Sequence, residues 1–236
     1  MNQDPSTAAG SRRGRRAPRW LAMLAGLACC VVSAPAAARV EPARAVDSTL
    51  AGVRDAILAD TAAIKASPEA ARQLIRRTLI PRADTRATAR YVLAQQWPQA
   101  KPVQREAFHS AFHDHTVATY GLLLHRFAER VAEALKGLSW RTETVRQDGQ
   151  TALVRTLFRT EGGGEQTVRI HLHARDGHWL LFDAEYAGFS LLGIWRAEIQ
   201  GRLRRQTLPE LTAALQQRHS DANAVTPGLD TQTRRD

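Results

Sequence analysis

Cysteine is almost missing from this sequence: of 236 residues only Cys29 and Cys30 are cysteines, and both fall near the N-terminus. The remaining chain therefore has no disulfide, no thiol nucleophile and no thiolate metal ligand. Long apolar runs are missing too. The stretch from Trp20 to Val32 is shorter than the roughly 20 residues a membrane-spanning helix needs. There is no GxSxG nucleophile elbow and no plausible Ser/His/Asp order. The glycine cluster of "EGGGE", residues 161–165, lacks the following helix and lysine of a phosphate loop. No internal repeat is visible. These absences remove the common signatures of hydrolases, nucleotide enzymes, repeat arrays and membrane spans.

What is present begins with a leader. Arg12, Arg13, Arg15, Arg16 and Arg19 precede the apolar run, and "SAPAAARV" follows it. A basic segment, a short apolar core and small residues at Ala36 and Ala38 predict a secretory signal peptide over residues 1–38, hence an exported protein. The apolar residues expected after a twin-arginine pair are absent, and Gly26 sits where a lipobox prefers a leucine-like residue, which argues against lipidation at Cys29. Cleavage after Ala38 removes both cysteines, and with them five arginines and one aspartate. The overall charge of +10 then falls to 28 basic against 22 acidic residues, or +6. So modest an excess suits anionic lipid surfaces or acidic proteins and does not indicate nucleic acid. With 44% hydrophobic and 24% charged residues, the remainder is an ordinary globular composition.

Periodicity divides that remainder in two. Leu50, Val53, Ile57 and Ile64 form a helical stripe. Ser67-Pro68 reads as an N-cap followed by proline at the first helical position. Asp84 can cap "TRATARYVLAQQW", and one long helix is expected from about Pro102 to Leu135. Period-two runs then appear in "LSWRTETVR", "TALVRTLFRT", "EQTVRIHLHAR" and "HWLLFDAEY". Asp148-Gly149, Gly162-Gly163-Gly164 and Asp176-Gly177 separate them as turns. Thr207 and Glu210 form a capping box for a last helix. The expectation is an α+β fold: helices over 46–136, a curved four-stranded antiparallel sheet over 138–187, and helices over 188–218 that can cover it, making a cone that is either filled or hollow. Residues 219–236 read as a disordered tail.

Two polar groups invite a chemical reading. His109, His113 and His115 crowd one stretch, but at 100° per residue His115 shares a face with Phe108, Phe112, Thr119, Leu122 and Leu123. His109, His113 and Tyr120 occupy another stripe, beside Glu106. A Glu106/His109/His113 row has helical metal spacing, yet it lacks the further ligand or catalytic glutamate of HExxH. No metal and no cofactor are expected. Asp183 could act as a general base with Tyr186 as oxyanion donor; the simpler reading is that Asp183 braces the strand-to-helix turn.

Two spaced motifs carry a family resemblance. "ATARYVLAQQWPQAKPVQREAFHSAFHDHTVATYGLLL" resembles the signature region of the MlaC family, also called toluene-tolerance or ABC transporter auxiliary proteins, at Val92, Leu93, Trp97, Pro102, Gln104, Arg105, Phe108, Ala111, Phe112, Tyr120 and Leu123. "DGHWLLFDAEYAGFSLL" is similar to its second motif at Trp179, Asp183, Gly188, Ser190 and Leu191. Three features depart from the pattern: Ala94 stands where the family has glycine, Phe189 where it has valine, and "HRFAERVAEALKG" is longer than usual. The resemblance implies an NTF2-like sheet and a non-enzymatic periplasmic carrier that holds a phospholipid by its diacyl tails as cargo. Its implied partners are an inner-membrane ABC transporter complex with an MCE-domain subunit and an outer-membrane lipoprotein complex. On that reading the tail pocket is expected at Val154, Phe158, Val168, Ile170, Leu172, Phe182, Tyr186, Phe189 and Leu192, bordered by Tyr120 and Trp195. Arg202, Arg204 and Arg205 are candidates for anionic head groups or acidic partners, or for a solvated helix face. The competing class is an exported enzyme on the same kind of cone, with Asp183 as base toward a small apolar substrate.

Overall fold

A computed structural model describes residues 40–224; the expected leader, and the expected tail beyond residue 224, lie outside the described residues. Seven helices come first: α1 (Pro42–Ala59), α2 (Thr61–Ala66), α3 (Pro68–Thr78), α4 (Thr85–Leu93), α5 (Gln96–Gln99), α6 (Pro102–Arg126) and α7 (Ala128–Lys136), with a 3-10 turn at Ile80–Arg82 between α3 and α4. Strands β1 (Ser139–Asp148), β2 (Thr151–Arg159), β3 (Glu165–Arg175), β4 (His178–Tyr186) and β5 (Phe189–Ser190) follow, and α8 (Leu191–Leu203) and α9 (Leu208–Ala224) close the chain.

Local chemistry sets most boundaries. The Ser67 hydroxyl accepts from the Glu69 N–H at 3.2 Å, with Pro68 opening α3. Asp84 accepts from Ala87 N–H at 3.1 Å to start α4. At α9 the Thr207 N–H donates to Glu210 at 2.7 Å, closing the expected capping box. The hairpin turns fall at the glycines: Asp176 and Gly177 both have positive φ, 49° and 83°, as a two-residue type I′ turn requires.

The sheet is antiparallel throughout, in the order β1-β2-β3-β4-β5. Five strands replace the expected four. Ala187 and Gly188, with φ of 50° and 81°, make a second tight turn that folds Phe189 and Ser190 back onto Tyr186 and Glu185 before the helix starts. The single helix expected over 102–135 is two, because the chain turns at Phe127 (φ −114°, ψ 20°). Neither proline nor glycine marks that break. It lets Ala128, Val131 and Leu135 reach Ile57, Ile64 and Leu74, which a straight extension of α6 would not do. The first helix begins at Pro42, capped by Glu41, ahead of the expected residue 46. At the other end α9 runs to Ala224, so residues 219–224, expected in the tail, are helical. An established helix extends at one hydrogen bond per residue even where apolar periodicity has ended.

The largest correction concerns what covers the sheet. Its apolar face packs against α1, not against the C-terminal helices: Ala43 and Val46 meet Ala152, Val154, Ile170, Leu172, Ala174 and Trp179 in a closed core. α8 and α9 instead join α4 and α6, where Val92, Leu93, Phe108, Phe112, Ile199, Leu211 and Leu215 form a second core. The other sheet face carries exposed ion pairs such as Arg169–Glu185 at 2.8 Å, but towards the β3–β4 turn it meets α4 through His173 and Phe182.

Candidate functional site

Where the helical part meets β4, packing is incomplete. A cavity of about 240 Å³ lies between the end of α3, the 3-10 turn, α4, α6, β4 and the start of α8. Leu79 and Ile80 wall one side, Thr85 and Thr88 of α4 another. α6 contributes Phe112, His113, Thr116, Val117 and Tyr120, and β4 contributes Leu181 to Ala184. Leu191, Leu192 and Trp195 of α8 complete it.

Trp195 organises one end. Its indole N–H donates to the Tyr120 hydroxyl at 3.1 Å, and its ring meets Phe112 and His115 edge-on, each at 5.6 Å. Burial raises the Tyr120 phenol above its ordinary pKa, against the lowering effect of the Trp195 hydrogen bond, so it stays neutral. Phe182 forms the inner wall, edge-on to Tyr91 at 5.7 Å and stacked on His173 at 4.1 Å. Behind it, His173 and Arg175 both bind Asp84, at 3.0 and 3.1 Å. The backbone N–H of Asp84 donates to Leu181 O at 2.8 Å, and this tie fixes α4 against β4.

Asp183 faces this cavity, and both of its oxygens are engaged. Oδ1 accepts from the N–H groups of Ala184 (2.8 Å) and Leu192 (2.9 Å), and Oδ2 accepts from Ser190 Oγ at 2.5 Å. Ser190 Oγ in turn caps α8 through Gly193 N–H at 2.7 Å. The carboxylate holds the turn and the helix start, the simpler of its two expected roles.

Of the expected pocket residues, Tyr120, Phe182, Leu192 and Trp195 come together at this cavity. Val154, Ile170 and Leu172 do not: they are buried under α1, with Val168 half-buried beside them. Phe158 lies at the same face's edge, 6.4 Å from Trp140. Tyr186 and Phe189 are 51% and 71% exposed, and the Tyr186 hydroxyl donates to Gln166 rather than into the cavity. The reason is topological. Alternation says that these side chains share a face, but not which element covers it. Leu79, Ile80, Thr88, Thr116 and Leu181 were missed; the signal was the His113/Tyr120 stripe of the long helix, whose phase also contains Thr116. Leu122 and Leu123, in phase with the core face, are exposed at 38% and 46%; at this level α6 packs through its other side, where Gly121 meets Arg72 of α3 and Leu124 joins the core of Ile57, Ile64 and Leu74.

The histidine row makes a polar tie, not a cluster. His109 Nε2 lies 3.1 Å from Thr85 Oγ1, and Glu106 pairs with Arg86 at 3.0 Å. Among the described residues no group of three or more His, Cys, Asp or Glu side chains is placed to hold a metal ion. Nor is any described helix long and apolar enough to cross a membrane.

The fold is similar to that of a solved phospholipid-binding protein from Ralstonia solanacearum in complex with a phospholipid. The TM-score is 0.64 at 17% identity, over 78% of this chain and 99% of the other. The family model described as "MlaC protein" matches residues 47–217, which spans the helices, the sheet and most of α9. The chain belongs to the MlaC protein family.

Proposed function

We propose that this protein is a periplasmic phospholipid carrier that shields acyl chains in the cavity between α4, α6, β4 and α8 and performs no chemistry on them. One observation carries the reading: the surface that the cavity presents is almost wholly apolar, although Thr85, Thr88, His113, Thr116 and Asp183 contribute to its wall, in a member of the MlaC family whose fold is shared with a phospholipid-binding protein. Each methylene withdrawn from water contributes about 0.8 kcal/mol, so tail burial alone drives binding and the head group needs no dedicated motif. At about 240 Å³ the cavity lies below the roughly 300–1,000 Å³ usual for ligand sites; housing a diacyl lipid therefore requires the α8–β4 seam to widen. In this reading the NTF2-like cone opens at its helical seam. The carrier exchanges lipid with an inner-membrane ABC transporter complex bearing an MCE-domain subunit and with an outer-membrane lipoprotein complex. The engagement of both Asp183 oxygens supports carriage over the enzymatic alternative.

The test is organic extraction of protein purified from its native compartment, followed by lipid mass spectrometry. Near-stoichiometric phospholipid is expected; protein that emerges empty from its native compartment overturns the reading.

A further inference from the structure

On the far side of α4 from the apolar cavity lies a second, larger depression of about 1050 Å³, and its character is different. Phe182 is shared between the two; otherwise the groove runs between α4, α5, the β3–β4 turn and α8. Four arginines line it, Arg86 and Arg90 from α4, Arg175 from β3 and Arg196 from α8. Tyr91, Trp97, Pro98 and Leu180 supply apolar surface between them. The opposing carboxylates are Asp84, which is buried against His173 and Arg175, and Asp176 on the rim.

The groove is held open by contacts outside it. Gln200, one turn beyond Arg196, donates to the carbonyls of Val92 and Leu93 at 2.8 and 3.1 Å, which ties the end of α4 to α8. Arg105 supports the α5 wall from behind: its guanidinium lies 5.8 Å from the Trp97 ring centre and donates to Pro98 O at 2.9 Å. Ala94 carries the chain between α4 and α5 at φ 50° and ψ −120°, a conformation that costs a non-glycine residue of order 1–3 kcal/mol. Within the groove the Arg196 guanidinium sits over the Tyr91 ring at 4.8 Å. Arg86 has Glu106 as partner and Arg175 has Asp84. Arg90 is exposed and forms no ion pair among the described residues.

We propose that this groove is a docking site for an acidic segment of a partner protein, with Arg90 and Arg196 meeting its carboxylates and Tyr91 and Trp97 covering its apolar side chains. A phosphate group calls for donors that converge on one point, from a backbone nest or a bidentate fork. Here the arginines come from three separate elements with aromatic surface between them. Arginine and aromatic residues in that arrangement are the composition of protein interfaces, and the excess of positive charge selects an acidic partner. The site does not depend on lipid carriage.

The test follows backbone amide and indole signals of the isotope-labelled protein by NMR. The probe is the acetylated, amidated hexapeptide ELEDLE; inorganic phosphate and phosphatidylglycerol vesicles are titrated in parallel. Expected are shifts confined to the surroundings of Arg90, Tyr91, Trp97 and Arg196, and an affinity that falls with added salt. Arg90→Glu, at an exposed position, weakens peptide binding at least tenfold, whereas Arg146→Glu on β1 leaves it unchanged. Lipid content, measured on the same samples by mass spectrometry, is expected to be equal in wild type and Arg90→Glu, so loss of peptide binding is separable from loss of lipid carriage. Peptide shifts that map elsewhere, an unaffected Arg90→Glu, or the same shifts produced by phosphate or vesicles at lower concentration overturn the proposal.

Discussion

Two residues show how single side chains are constrained here. Ala94 adopts φ 50°, ψ −120° at the position where the family pattern has glycine. Relieving that strain outweighs the roughly 0.4–1 kcal/mol that glycine's unfolded-state freedom costs. Ala94→Gly is therefore expected to stabilise the protein by about 1 kcal/mol and to raise Tm by about 2–4 °C, read by calorimetry. Asp84 is the opposite case, a buried charge with every partner in place. Burial works to raise its pKa, but the Ala87 N–H, His173 and Arg175 outweigh it and hold the carboxyl below its ordinary value. With a depressed folded pKa, the stabilisation is complete above the unfolded value of about 3.9 and is lost as pH falls through the folded one. The stability gap between wild type and Asp84→Asn in urea titrations is thus expected to hold at neutral pH and to close below about pH 4. Asp84→Ala, which also removes the helix cap, costs about 2–3 kcal/mol at pH 7. Asp84 was legible in the sequence as a cap; its bonds to His173 and Arg175 were not, because those partners are some ninety positions away.

Among the elements, α6 carries the greatest responsibility. One side of it enters the helical core through Phe108 and Phe112, a second lines the cavity through His113, Thr116 and Tyr120, and a third lies against α3. The last contact explains Gly121. A Cβ built there would come within 2.5 Å of Arg72 Cγ and 3.2 Å of the Arg72 backbone, and backbone cannot rotate away. Gly121→Val is expected to cost about 2 kcal/mol through overpacking, seen as a lower midpoint in denaturant. Helical periodicity identified the start of α6 and its two stripes as far as Tyr120, but not the exposure of Leu122 and Leu123. It did not identify the break at Phe127, since helix-compatible residues run through that point and packing against Ile64 and Leu74 decides where the chain turns. The turn at Ala187-Gly188 escaped notice for a related reason. Alanine is a rare choice for positive φ, so only the paired glycine marked the turn, and β5 went unrecognised.

For the whole molecule, the proposed function rests on a seam rather than on a hollow sheet. Filling the seam is the direct test of carriage. Thr88→Trp, projecting from half-buried α4 into the cavity, is expected to abolish phospholipid retention in mass spectrometry while leaving Tm within a few degrees. Lipid retained at wild-type stoichiometry would place the tails elsewhere. Family membership, the α+β order, the strand count save one short strand, and the helix caps at Ser67, Asp84 and Thr207 were all readable from the sequence, because each is written in local spacing: period two, period 3.6, and a capping or turn residue at a fixed offset. What covers which face was not. Val154, Ile170 and Leu172 carry the pattern of a pocket wall as fully as that of a core. Only the tertiary structure decided that α1 would close over them and that the vacant space would fall beside β4, between helices separated by about a hundred residues. Local sequence sets which surfaces must be buried; the pairing of distant elements sets which of them remain free to receive a ligand.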